Sequence, residues 1–131
     1  MKKILTCAFL AGCWLGATGA LAAPIGNQVA SAQTAAAASS LVLNASGGIL
    51  NSLQANNSST AGYLLVFDAS SAPADGTVTP KFCYEMAANT TLQESWQYGV
   101  PFVNGVTLVY SSTGCFSKTA SATAFMAGQS Q

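Results

Sequence analysis

The 131-residue chain contains neither histidine nor arginine, and only 6% of its residues are charged. Without histidine, the usual Ser-His-Asp and Cys-His catalytic arrangements are impossible. Histidine metal sites are excluded as well, and the cysteines are too few for a structural zinc site once an N-terminal leader is removed. We therefore expect a protein that is not an enzyme and has no cofactor or metal.

The scarcity of positive charge also excludes two classes of partner. Two of the four lysines stand at positions 2 and 3, so removal of the N-terminus would leave two lysines against four carboxylates, and two minus four gives a net charge of −2. Such a surface cannot neutralise many phosphates, and it has no polybasic segment to attract anionic lipid. We expect no nucleic-acid partner.

The N-terminal segment has the pattern of a secretory signal peptide. A lysine pair precedes an apolar run over residues 4–21, and Ala20-Leu21-Ala22 supplies the small-x-small motif that signal peptidase accepts. This predicts a signal peptide over residues 1–22, export to the periplasm or the exterior, and no membrane span in the mature chain. Two alternatives stay open: the run is about long enough for a membrane anchor, and Leu10-Ala11-Gly12-Cys13 matches a lipobox, which would anchor the chain by a lipid on Cys13.

The four cysteines divide between the leader and the rest of the chain. Cys7 and Cys13 lie in the leader, whereas Cys83 and Cys115 are the pair that remains after cleavage. A single pair in an oxidising compartment predicts a disulfide, and closing a loop of this length stabilises a domain by roughly 3–4 kcal/mol on the chain-entropy model. The alternative is two free thiols, with Cys115 as a reactive group near Lys118.

The composition changes at residue 40. Residues 23–39 are rich in Ala, Ser and Gln and have almost no large apolar side chain, which predicts a flexible or weakly helical lead-in. Beyond it, short apolar stretches alternate with polar turns. Residues 63–67 form a continuous apolar run, typical of a strand buried on both faces, whereas residues 81–86 alternate with the period of a half-buried strand.

Further strands are predicted around 41–43, 49–53, 92–97, 106–110, 115–119 and 122–126, with residues 56–59 as a polar loop. Short strands, frequent turns and no helical periodicity predict an all-β fold, an antiparallel β-sandwich or jelly-roll-like single domain over residues 40–131.

The carboxylates suggest structural roles rather than catalysis. Asp68 and Asp75 flank one turn-rich loop, where aspartates commonly cap turns, and Glu85 and Glu94 fall at strand positions that we expect to face water. A paired-carboxylate glycosidase and a calcium site at the aspartates are the alternatives. We expect Lys118 to be a solvated lysine on an edge strand, where it would discourage aggregation.

Trp96 and Tyr98 are the candidates for an aromatic ligand platform, although core packing is the usual role of aromatic side chains in strands. Four Asn-x-Ser/Thr sequons, which begin at Asn44, Asn56, Asn57 and Asn89, are interpreted as polar-loop composition rather than glycosylation sites.

Two stretches of the chain resemble recurrent segments of small, uncharacterised β-domain proteins encoded in bacterial and phage or prophage genomes. They are GYLLVFDASSAPADG at 62–76 and SSTGCFSKTASATAF at 111–125. Residues 40–46 are similar too, so that the resemblance covers roughly residues 40–128. It implies a β domain, associates no activity with it, and suggests a virion or particle surface, although a cleavable leader is out of place on a virion assembled in the cytoplasm.

Three functions follow as expectations. The first is an exported, non-catalytic structural or interaction domain of the cell envelope or exterior, with an unknown protein or surface partner. The second is a small-ligand or glycan-binding module that uses the Trp96 region. The third is a phage or prophage particle-surface domain.

Overall fold

The computed structural model describes residues 29–131, which fold into ten β-strands and contain no helix. The strands are β1 (Ala30–Gln33), β2 (Ser40–Asn44), β3 (Gly48–Asn57), β4 (Gly62–Asp68), β5 (Gly76–Thr77), β6 (Phe82–Met86), β7 (Thr91–Phe102), β8 (Val106–Ser111), β9 (Ser117–Lys118) and β10 (Ala124–Ser130).

The strands form three sheets in which every pairing is antiparallel. Sheet A has the order β1-β10-β3-β7, sheet B has the order β2-β8-β4-β6, and β5 pairs with β9 in a small third sheet that we call the cover. Sheets A and B enclose the main core, so the predicted all-β sandwich is confirmed.

The main core is built from the inward positions of both sheets. Leu53 and Met126 of sheet A meet Leu64 and Leu108 of sheet B, and all four are almost completely buried. Gly128 lies where the sheets approach closely, because a Cβ at this position would stand 2.5 Å from Cδ1 of Leu43 on β2. Along β3 and β10, buried residues alternate with more exposed ones, which is the period-two pattern of a sheet with one face in solvent.

A second apolar cluster lies on the other face of sheet B, beneath the cover. Leu65 and Phe67 of β4 and Val109 of β8 contact Val78, which follows β5. The strand predicted at 63–67 is therefore buried on both faces, as its continuous apolar run indicates.

The predicted disulfide fastens this cover. Cys83 on β6 is bonded to Cys115, which lies just before β9, with a Cα–Cα distance of 5.6 Å. The bond therefore joins the edge strand of sheet B to the cover.

A buried asparagine connects the two main sheets at one end. Asn57, the last residue of β3, is 1% exposed, and its Nδ2 lies 2.8 Å from the Tyr110 hydroxyl of β8 and 2.8 Å from the Ala87 carbonyl. Its Oδ1 accepts a hydrogen bond of 2.9 Å from the Thr90 amide. The polar loop predicted at 56–59 is therefore wrong at residues 56 and 57, which end β3. A polar side chain such as that of Asn57 can be buried when its hydrogen bonds are satisfied.

The domain also begins earlier than the predicted residue 40. Residues 30–33 form β1, and the amides of Thr34 and Ala38 donate to Met126 and Ala124 of β10. The prediction of a flexible lead-in is wrong for this part, because backbone hydrogen bonds to β10 hold it although it offers few apolar side chains.

The signal peptide, its cleavage after Ala22 and the lipobox at Cys13 all fall outside the described residues. Within residues 29–131, no helix has the length and hydropathy to cross a membrane.

Candidate functional site

The outer face of sheet A carries a shallow groove lined by side-chain amides. It encloses about 670 Å³, and a cleft of about 240 Å³ that also includes Asn56 and Phe125 continues it along β3 and β10. We call the larger cleft the amide groove; its polar lining residues are Ser31, Gln33, Ser52, Gln54, Gln93 and Gln129.

Antiparallel pairing sets three of the glutamines in one row across the strands. Gln33 on β1 pairs with Ala127 on β10. Ala127 pairs in turn with Gln54 on β3, and Gln54 pairs with Gln93 on β7. Because residues directly opposite each other point to the same face of a sheet, the glutamines stand on either side of a single methyl group. The small side chain of Ala127 therefore leaves the space that becomes the groove.

The glutamines of this row have hydrogen-bonding capacity to spare. Within the described chain, the amides of Gln33, Gln54 and Gln93 make no side-chain hydrogen bond to protein, while Gln129 accepts only a long bond of 3.4 Å from the Ser52 hydroxyl. Each amide offers two N–H donors and a carbonyl acceptor. The groove therefore presents donors and acceptors side by side to whatever enters it.

Among residues 29–131, no charged side chain lines the amide groove. Glu94 is the nearest carboxylate in sequence, but it lies two residues from both Leu92 and Trp96 along β7. It therefore shares their face of the strand, which packs against the main core. Burial raises the pKa of Tyr84, and the charge of Glu94 raises it further. The expectation that Glu94 faces open water is therefore wrong, since it is half-buried on the inner side, whereas Glu85 is exposed as expected.

The structure separates the two aromatic residues predicted as a platform. Residues 96–99 bulge out of β7 opposite Asn51, and Gly99 has a φ of +67°, a left-handed conformation that favours glycine. Trp96 is half-buried and stacks on Phe82 with ring centroids 5.8 Å apart, whereas Tyr98 is 88% exposed at the bulge. A ligand platform here stays a prediction, with Tyr98 as its accessible ring.

Lys118 has a different role from the one predicted. It is 3% exposed, and its ammonium group forms an ion pair with the Asp75 carboxylate, which also accepts a hydrogen bond of 3.1 Å from the Ala120 amide. The prediction of a solvated edge lysine is wrong because β9 lies in the cover, where the side chain is enclosed. The Lys118 hydrogen bond, and then the Ala120 amide, lower the pKa of Asp75.

Asp68 caps a turn, as its residue type suggests, but the turn is distant in sequence. Its carboxylate accepts hydrogen bonds from the amides of Asn104, at 2.7 Å, and Val103, at 3.0 Å. These amides lower the pKa of Asp68, with Asn104 contributing most. Asp68 and Asp75 thus bind different partners, and residues 29–131 hold no group of three or more His, Cys, Asp or Glu side chains that could bind a metal.

The amide groove is a site that the sequence analysis did not identify. The signal was the set of outward residues on β3 and β7. Gln54 and Asn56 alternate with buried residues on β3, and Gln93 and Ser95 alternate with half-buried residues on β7. That set contains amides and hydroxyls but no charge. It could be recognised as one surface only once the strand order was known.

Comparison with protein-family models, curated proteins and solved structures finds no match. What defines the class of this protein is therefore its own fold, an antiparallel all-β sandwich with a disulfide-linked cover. The resemblance to bacterial and phage β domains stays a prediction.

Proposed function

We propose that this protein is an exported, non-catalytic binding module, and that its amide groove takes an uncharged, hydroxyl-rich ligand such as a neutral glycan. The observation that carries the proposal is a row of three glutamine amides in a cleft of about 670 Å³, none of which has a hydrogen-bond partner among residues 29–131. Sequence analysis predicts only an interaction domain in general terms, and the proposal gives that domain a defined site and ligand class. It also places the ligand site in the amide groove rather than at Trp96.

The chemistry of the groove supports a neutral polar ligand over the alternatives. A hydroxyl group both donates and accepts, so it can use the two halves of an amide together. A charged ligand would lose hydration without meeting an opposite charge. An apolar ligand would displace water from the amides, and it could not replace the hydrogen bonds that they make to that water. Phe125, which is 45% exposed beside the groove, adds an apolar ring for the carbon-bearing face of a sugar.

Export is supported by the disulfide between Cys83 and Cys115, because such bonds persist in oxidising compartments. The predicted leader supports it independently. The resemblance to phage-encoded domains would place the same groove on a particle surface, and tail, capsid or lysis genes beside this one would support that alternative.

A neutral-glycan array followed by calorimetry tests the groove. We expect Gln54→Ala and Gln93→Ala each to weaken binding about tenfold, since each removes a hydrogen-bonding group worth about 1.4 kcal/mol. Gln97→Ala is the matched control, because Gln97 is also an exposed glutamine of β7 but does not line the groove.

Two results would contradict the proposal. The first is the absence of glycan binding by the folded, disulfide-bonded protein. The second is binding that survives both groove substitutions but is lost in Tyr98→Ala, which would return the site to the β7 bulge.

A further inference from the structure

The two sides of the sandwich differ in how their edge strands are protected. On one side are β6 and β7, where Lys81 and Glu85 supply charge, Pro101 removes an N–H donor, and the bulge at 96–99 interrupts the ladder. Charge, proline and bulges are the usual features that prevent an edge strand from pairing with another chain.

On the opposite side of the sandwich, β1 is the edge strand of sheet A, and it has none of these features: its register with β10 is regular. Residues 29–67 contain no charged residue and no proline. β1 pairs with β10 on one side, and no described strand pairs with its other side.

The outward hydrogen-bonding groups of β1 belong to Ser31 and Gln33. The Thr34 amide bonds the Met126 carbonyl of β10, and in an antiparallel ladder the residues that bond a given neighbour alternate. Ala30, Ala32 and Thr34 therefore direct their backbone groups to β10. The N–H and C=O groups of Ser31 and Gln33 point the other way.

This edge is self-complementary. If two copies of β1 run antiparallel about a two-fold axis at Ala32, Ser31 of each copy lies opposite Gln33 of the other, and their backbone groups can exchange hydrogen bonds. The register also keeps both side chains on the groove face of the sheet, with alanine opposite alanine on the inner face. Like charges that face each other would destabilise a strand pair, and β1 has no charged residue to bring across the axis.

We infer that two copies of this chain associate through β1, so that their A sheets become one continuous sheet. The interface is isologous, as two-fold dimers require. It is also small, because β1 has four residues, and interfaces of low area are weak and transient. The dimer forms at high local concentration rather than permanently.

The association bears directly on the amide groove, and this consequence rests on the proposed function. Ser31 and Gln33 line the groove at its β1 end, so pairing through β1 places the two grooves next to each other across the axis. A ligand long enough to occupy both would bind the dimer better than the monomer. By linkage, it would then promote dimerisation.

Sedimentation velocity of the exported chain without ligand tests the association. We expect a concentration-dependent monomer–dimer equilibrium that Ser31→Pro weakens at least tenfold, because proline removes an outward N–H and leaves the bonds to β10 in place. Ser31→Ala is the matched control; it keeps the N–H, and we expect it to dimerise like the parent. Thermal unfolding verifies that both variants remain folded.

The outcomes are separable from those of the proposed function. A chain that stays monomeric at millimolar concentration, or a dimer that Ser31→Pro does not weaken, would overturn the β1 interface whether or not glycans bind. Slower deuterium exchange at the Ser31 and Gln33 amides with rising protein concentration would support it. Without ligand, Gln54→Ala should dimerise like the parent, although it weakens ligand binding.

Discussion

On sheet B, the outward side chains Leu65, Phe67 and Val109 lie under the cover and are at most 4% exposed. On sheet A, the corresponding outward positions of β3 and β7 carry Gln54 and Gln93, which meet solvent. The two sheets share one core and the same number of strands, yet the central strands of sheet B have both faces buried, whereas sheet A has one open face.

The difference shows how much additional structure an apolar outer face requires. A polar face can remain in water, but an apolar one must be covered to remove it from solvent. The cover has only two short strands, so additional bonds must hold it in place. These are the disulfide between Cys83 and Cys115 and the ion pair between Lys118 and Asp75. The open face needs neither and is left available for binding.

The largest expected effect on stability comes from removing the disulfide. The double substitution Cys83→Ala with Cys115→Ala should lower the free energy of unfolding by about 3–4 kcal/mol through the entropy of the unfolded chain. For a domain of this size, the melting temperature should fall by more than about 10 °C. Calorimetry and urea unfolding measure both quantities.

Binding provides the control for this change. Below the new melting temperature, glycan binding at the amide groove should be unchanged, since the groove lies on the other sheet. An unaltered melting temperature would show that the bond does not hold the cover, and lost binding would show that the two outer faces are coupled.

A pair of single substitutions compares the faces directly. Leu65→Ala should destabilise the domain by about 3 kcal/mol, because it removes a fully buried side chain from the cluster under the cover. Gln54→Ala, an outward position on the central strand β3, should change stability by no more than about 0.5 kcal/mol. Chemical unfolding of both variants in one buffer gives the difference, and equal losses would mean that the outer face of sheet A also contributes to stability.

Much of the fold could be predicted from local patterns. The continuous run at 63–67 and the alternation at 81–86 indicate two kinds of strand, and both predictions are confirmed by β4 and β6. The disulfide followed from counting, because only one pair remained. These features depend on a few neighbouring residues or on composition.

Features that depend on distant contacts could not be predicted in the same way. The burial of Lys118 requires Asp75, which is 43 residues away, and that of Asn57 requires Tyr110, which is 53 residues away. The amide groove needs β1, β10, β3 and β7 side by side, although they are scattered from residue 30 to residue 130. Neither pattern nor propensity specifies such an order of strands.

The smallest expected effect concerns the ion pair of Lys118 with Asp75. This ion pair should make the stability of the cover depend on pH. The lowered pKa of Asp75 means that the folded state favours the carboxylate more than the unfolded state does. Its contribution is therefore fully present above the ordinary pKa of 3.8, and it is lost as the pH falls through the lower folded value. Asp75→Asn should be less stable than the parent at neutral pH, and this difference should shrink in acid.

Measuring the difference between parent and variant isolates Asp75, because Asp68, whose pKa is also lowered, is common to both proteins. Urea unfolding from about pH 7 to about pH 2.5 gives the two profiles, and deuterium exchange at the Ala120 amide reports on the cover itself. In a Lys118→Met background, which removes the main cause of the lowered pKa, Asp75→Asn should flatten the profile much less. A parent–variant difference that stays constant across this pH range would show that the ion pair does not fasten the cover, and the disulfide and the apolar cluster would then account for its stability.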